Sequence, residues 1–179
     1  INGASSTNFF VLIDDLKCEA IALDGNPIEP YRGNTFDVAA SQTMDFMVEI
    51  PDKEGAYPIY ALAQGMNKNA AMLLKTPKAR TIPLTSKMKN PYQRIQNQDG
   101  RYQPVKGLEM KEPTKRFTCT LSGDMWRYIW MINDRVFPHN TPLRVQEGDR
   151  VEITFVNDTL MGHPMHLHGH IFQVTKLNG

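Results

Sequence analysis

"TMDFMVEI", residues 43–50, places Met44, Phe46, Val48 and Ile50 on one side of an extended chain and Asp45, Met47 and Glu49 on the other. Successive side chains of a strand point to opposite faces, so this period of two predicts a strand with one buried face. "RVEITFVN", residues 150–157, repeats the pattern with Val151, Ile153 and Phe155. Further runs of the same kind are "NFFVLI", "CEAIAL", "YPIYAL", "AAMLLK", "RFTCTL", "YIWMIN" and "IFQVTK", many of them bounded by Gly, Asp, Asn or Pro. Turn chemistry agrees: Asp24-Gly25 follows one run, and "QEGD" reads as a hairpin between "PLRV" and "RVEITF" in which Gly148 can take positive φ. No long amphipathic helical pattern competes, so the expected class is all-β and sandwich-like.

The 179 residues, 41% of them hydrophobic, are enough for one or two compact domains. No run approaches the roughly 18 consecutive apolar residues of a membrane-spanning helix. Residues 76–115 are polar, basic and Pro-containing with weak periodicity, and read as a linker between two β segments, 1–75 and 116–179. Each segment is shorter than a sandwich of about 100 residues. Both ends are therefore expected to be cuts inside domains, in keeping with an amino terminus, "INGASSTNFF", that has neither a starting Met nor a signal-peptide pattern. Lys75–Lys115 carries ten Lys or Arg against three acidic residues, +7 against a total of +1, leaving −6 elsewhere. The net charge argues against nucleic acid as a partner, and the basic stretch reads as a solvated linker, with a docking surface as the alternative.

Cys18 and Cys119 form no C-x-x-C and are expected as buried free thiols, Cys119 sharing a strand face with Phe117 and Leu121. Met125, Trp126, Trp130 and Met131 in "DMWRYIWMI" are expected to pack in a core, as are most of the ten Met residues.

"HPMHLHGH", residues 163–170, holds four of the five histidines; the fifth, His139, reads as a loop residue. On an extended strand His166, His168 and His170 would line one side, with Met165, Leu167 and Ile171 anchored in apolar packing on the other. His163, before Pro164, stands at the strand entrance and can serve a different site. Imidazole suits copper, zinc, iron and nickel, and the absence of a carboxylate in the segment disfavours calcium and magnesium. Neither a nucleophile elbow nor a Gly-rich phosphate loop is present, which leaves metal chemistry.

"HPMHLHGHIFQV" resembles the third-domain copper motif of the multicopper oxidases, and "INDRVFP…LRVQEGDRVEITFVNDTLMGHPMHLHGH" is similar to its lead-in. The amino-terminal "INGASSTNFFV…IALDGNPIEPY…QTMDFMVEI" resembles the later strands of the middle domain. The resemblance implies two partial cupredoxin domains, Greek-key β-sandwiches, from an enzyme that takes single electrons from a substrate at a type 1 copper and reduces dioxygen to water at a three-copper cluster. It implies His163 as a type 1 copper ligand, His166 as a type 2 and His168 as a type 3 ligand, with His170 supporting a ligand or packing. It further implies a small-molecule or metal-ion reductant and O2 as partners, and a periplasmic or secreted location. The family's H-C-H-x-x-x-H segment and first-domain H-x-H pairs are missing from these residues, so other segments or subunits would have to complete the copper sites, and the segment alone is expected to be inactive. Open strand edges predict association with another chain or a second copy. The alternatives are a non-catalytic cupredoxin-like metal-binding or interaction module, and a zinc hydrolase, which would need a nearby Glu or Asp as base.

Overall fold

The structure, a computed structural model, describes residues 1–86, 88 and 101–177. Its described secondary structure is strand and turn, in two compact units: Ile1–Gly107 with Gly169–Gly179, and Leu108–His168.

The first unit holds seven strands: β1 (Phe9–Leu12), β2 (Lys17–Leu23), β3 (Asn26–Gly33), β4 (Thr35–Val38), β5 (Met44–Glu49), β6 (Ala56–Ala63) and β7 (Asn69–Lys75). They form two antiparallel sheets, ordered β4-β1-β6-β7 and β3-β2-β5. One apolar cluster draws Cys18, Ala20, Ile28 and Met44 from the three-stranded sheet and Phe36, Val38 and Tyr57 from the four-stranded one. The sheets therefore share a core, as in a sandwich. "TMDFMVEI" behaves as its alternation predicts: Met44 is buried, Phe46 and Val48 pack against the cluster, and Asp45, Met47 and Glu49 face out, while Ile50 lies exposed beyond the strand. Phe36 is fully buried, with its ring 4.8 Å from that of Phe46. Burying a side chain of this size stabilises by roughly 1.5–3 kcal/mol, and truncating it to Ala would cost about 3–5 kcal/mol.

Asp24 (φ 46°) and Gly25 (φ 74°) make the two-residue turn between β2 and β3, both in the left-handed region that a type I′ turn requires. β3 and β4 have no counterpart among the sequence-predicted runs. β3 contains Pro27 and Pro30, which blur the pattern, and it tolerates them because it is an edge strand whose ladder needs fewer N–H donors.

The expected linker also differs over residues 101–105. Tyr102 joins the core, its ring 5.1 Å from that of Tyr31. The Glu29 N–H donates to Gln103 O at 2.8 Å and the Val105 N–H to Pro27 O at 3.2 Å, so this stretch covers the outer edge of β3. The rest of the basic stretch between residues 87 and 100, Met88 apart, lies outside the described residues.

The second unit is one sheet, β10-β8-β9, built from β8 (Lys115–Asp124), β9 (Ile129–Ile132) and β10 (Val151–Asn157). β8 and β9 form an antiparallel hairpin, whereas β10 runs parallel to β8. Phe117, Cys119 and Leu121 share the inward face of β8, and the latter two are the unit's buried apolar residues among those described. Gly148 takes φ 86° in the turn before β10, as expected, but "PLRV" is not a strand, so that turn closes no hairpin. "IFQVTK" is not a strand either, and its Ile171, Phe172 and Val174 are exposed.

Two packing expectations are corrected here. Met125 and Trp126 stand in the exposed turn between β8 and β9, Trp126 at 97% exposure, because the hairpin reverses there and carries them off the sheet; Trp130 and Met131 are half-buried. Of the described methionines only Met44 is buried, and Met47, Met66, Met72, Met110 and Met125 are exposed. Met47 lies on the outward side of β5, and Met72 on an edge strand.

Candidate metal centre

The histidine segment begins where β10 ends. Asn157 closes the strand and organises the loop after it: its Nδ2 donates to Met161 O at 2.7 Å, while its Oδ1 accepts the Thr159 N–H at 3.0 Å and the Thr159 hydroxyl at 2.8 Å. An Asn that bonds the backbone two residues on forms an Asx turn. The Asp158 N–H donates to Leu121 O at 2.9 Å, which ties the same loop to β8. The loop then delivers His163, half-buried, to the ring of Trp130 on β9, edge to face at 5.5 Å and 69°. His163 Nε2 lies 2.7 Å from the Thr159 hydroxyl.

His166 and His168 form a second group. Their rings meet edge to face at 4.7 Å and 87°, and both are exposed. His163 is thus held in one setting, against Trp130 and Thr159, while His166 and His168 keep each other's company.

The expected continuous strand is not formed. Residues 162–167 belong to no strand, His168 and Gly169 form a turn, and Gly169 takes φ 73°. A ribbon needs a neighbouring strand to close its ladder, and Pro164 contributes no N–H to one. The turn interrupts the alternation before His170, which falls in the segment Gly169–Gly179 that groups with the first unit. The apolar anchor is also weaker than expected. Met165 is half-buried, but Leu167 and Ile171 are exposed. His139 lies exposed after a turn, as its sequence suggests.

The thiols are buried and unbridged. Burial, reinforced by the charge of Glu19, pushes the Cys18 thiol up to about 11, and burial raises the Cys119 thiol as well. Neither lies in a group of three or more metal-binding side chains among the described residues. Among the described residues no three His, Cys, Asp or Glu side chains converge on one point. The imidazoles match copper chemistry in type, and they supply part of a coordination sphere, not a closed one.

Sequence reasoning found the histidines and missed the residues that hold them, Trp130, Asn157 and Thr159. The signal for the last two was legible: Asn-x-Thr directly after an alternating strand.

Comparison with known proteins decides the family. Multicopper oxidase family models match residues 1–82 and 110–179. The chain belongs to the multicopper oxidases. Over its whole length it is 33% identical to the multicopper oxidase MmcO of Mycobacterium tuberculosis, of which it spans 35%. Over 38% of its length it is 38% identical to a copper resistance protein A homolog of Pseudomonas syringae pv. tomato, spanning 12% of that protein. Its backbone is similar to that of a laccase from Botrytis aclada, with a TM-score of 0.59 over 72% of this chain and 25% of that one at 22% identity, a likeness of fold. The fold is all-β and cupredoxin-like, as expected for this family. This multicopper oxidase chain spans about a third of the length of its mycobacterial relative.

Proposed function

We propose that this chain is the stretch of a copper-dependent oxidase that joins the end of one cupredoxin domain, residues 1–75, to the start of the next, residues 116–179, and that it supplies ligands to two kinds of copper site. With copper bound, the site would supply one-electron removal from a small-molecule or metal-ion reductant and reduction of dioxygen to water. His163 would serve the type 1 site, His166 the type 2 site and His168 a type 3 site, with His170 in a supporting role.

The observation that carries this reading is the division of the histidines. His163 is set against Trp130 and Thr159, whereas His166 and His168 contact each other at 4.7 Å. Two settings within six residues suit a segment that serves an electron-entry site and an oxygen-reducing site together. The indole of Trp130 packs against one side of the His163 ring, and apolar cover of this kind limits solvent access to a metal bound there. The remaining donors would come from other segments or subunits, and the free edges of β9 and β10 offer places for them, or for a second copy, to pair. A periplasmic or secreted location is part of the proposal.

Paramagnetic resonance on the copper-loaded full-length protein tests it. His163→Ala should remove the type 1 signal and spare the others, and His166→Ala should remove the type 2 signal. A wild-type protein that binds metal without either signal would identify the non-catalytic module instead.

A further inference from the structure

The hydrogen bonds around His163 determine which of its nitrogens carries the proton. Asn157 Nδ2 donates to Met161 O at 2.7 Å and Asn157 Oδ1 accepts the Thr159 N–H at 3.0 Å; flipping the amide would set N–H against N–H and carbonyl against carbonyl. The amide orientation is therefore settled. The Thr159 hydroxyl has one hydrogen and lies 2.8 Å from Asn157 Oδ1, an atom with none to give. Met161 O, 3.2 Å away, is a second oxygen acceptor for it, but turning the hydrogen there or to the ring would set two oxygen lone pairs against each other at 2.8 Å, so it goes to Asn157. The 2.7 Å contact between Thr159 Oγ1 and His163 Nε2 must then take its hydrogen from the ring. The Met161 N–H, 3.4 Å from the same hydroxyl oxygen, adds to its role as acceptor.

We propose that Thr159, oriented by Asn157, is a positioning residue that holds His163 as the Nε2–H tautomer and leaves Nδ1 as the lone pair offered to a metal. Among the described residues His163 Nδ1 makes no hydrogen bond, and Trp130 limits rotation of the ring from one side. Outer partners of this kind set tautomer and orientation, because a ligating ring almost always donates its other N–H. Nothing in the geometry of Thr159 depends on metal. The consequence for copper rests on His163 being a type 1 ligand; the tautomer does not.

Two measurements separate these parts. In the metal-free protein, labelled with nitrogen-15 at histidine, the two ring nitrogens of His163 should report Nε2–H. Thr159→Val, which removes the hydroxyl at nearly constant shape, should bring them toward the average of two tautomers, and Thr159→Ser should restore the wild-type pattern. A His163 found as Nδ1–H, or one that ignores Thr159→Val, overturns the proposal. In the copper-loaded full-length protein, Thr159→Val should weaken type 1 copper roughly 10-fold or more, with the three-copper signal retained and Thr159→Ser rescuing the loss. Unchanged type 1 occupancy and spectrum in Thr159→Val overturns the positioning role. An intact type 1 signal in His163→Ala would sink the copper-ligand reading alone.

Discussion

The guanidinium of Arg101 lies 3.3 Å from the carboxylate of Asp37, which is 2% exposed at its side chain. Asp37 sits on β4, and Arg101 follows the basic stretch, so the pair fastens the chain back onto the first unit. Burial lifts the Asp37 carboxyl above its ordinary range, although Arg101 draws it down. A carboxyl raised in the folded state favours folding at low pH and loses that contribution as pH rises through its folded value.

Arg101→Gln should therefore destabilise the first unit by about 2–4 kcal/mol at neutral pH, because it removes the cation beside a buried carboxylate. The deficit should shrink in acid, where the protonated carboxyl needs no partner. Chemical denaturation of both proteins at neutral and acidic pH checks this, and a deficit independent of pH would refute the ion-pair account.

Tyr102 beside it tests whether the same stretch is core. Its hydroxyl is buried without a hydrogen-bond partner, and burial above all holds it protonated, with a pKa pushed up to about 12. Tyr102→Phe should be neutral or stabilising by up to about 1 kcal/mol, since it deletes an unsatisfied group. Tyr102→Ala should cost about 3–5 kcal/mol, the usual loss for a large aromatic core residue. Equal, small effects of both changes in thermal unfolding would show that residues 101–105 do not pack as described.

Gly123 and Trp130 face each other across the β8–β9 hairpin. A Cβ at residue 123 would overlap the Trp130 ring and come 2.8 Å from Ile129 O, so glycine is required there by close approach. Gly123→Ala should cost about 1–3 kcal/mol through overpacking. It should also move the indole off His163, which a change in the His163 ring proton shifts would report. Unmoved shifts would mean that Trp130 does not hold the imidazole.

The alternating runs on β5 and β8 were legible because each turns one apolar face inward, Met44, Phe46 and Val48 on β5 and Phe117, Cys119 and Leu121 on β8, whereas on β10 Val151 and Ile153 are half-buried and Phe155 is exposed. Asp24-Gly25 and Gly148 were legible because few residues tolerate positive φ. β4 was not, since its four residues include the buried Asp37, whose charge reads as exterior until Arg101 is placed beside it. Tyr102 was hidden by polar neighbours for the same reason: its burial depends on a long-range return of the chain. "PLRV" and "IFQVTK" carry strand-like composition, but strand formation also needs a partner edge, which composition does not encode. At the metal centre the spacing of His163, His166 and His168 was enough to locate the donors. Their grouping depended on the Asn157 turn, whose Asn-x-Thr signal was present but unread, and on the Trp130 contact, which only the folded chain reveals.

Asp149 ties the turn before β10 to β8. Its Oδ2 accepts the Gln146 N–H at 2.7 Å and the Lys115 ammonium at 2.8 Å. The Lys115 hydrogen bond and then the Gln146 N–H hold its carboxyl below the ordinary 3.8. A lowered folded value means stabilisation that is present above the unfolded pKa and lost as pH falls through the folded one. Asp149→Asn should lower the melting temperature at neutral pH and converge on wild type as pH falls below the ordinary carboxylate range and through the lowered folded value. Parallel curves for the two proteins across that range would exclude this linkage.

The two cysteines and five histidines of the chain all lie among the described residues, yet no three metal-binding side chains converge there. A type 1 centre wants two imidazoles and a thiolate, and here the thiols are buried and, among the described residues, neither converges with two other metal-binding side chains. The 179-residue chain by itself should therefore bind copper loosely through His166 and His168, develop no type 1 spectrum and turn over no laccase substrate. Titration with cupric ion, followed by paramagnetic resonance and an oxygen-uptake assay, measures all three. His166→Ala and His168→Ala should each weaken that binding, whereas His163→Ala should leave it nearly unchanged, because His163 faces Trp130 and Thr159 instead of the histidine pair. Equal losses from all three substitutions would show that the histidines act as a single site, and oxygen uptake by the isolated chain would show that it carries a complete centre of its own.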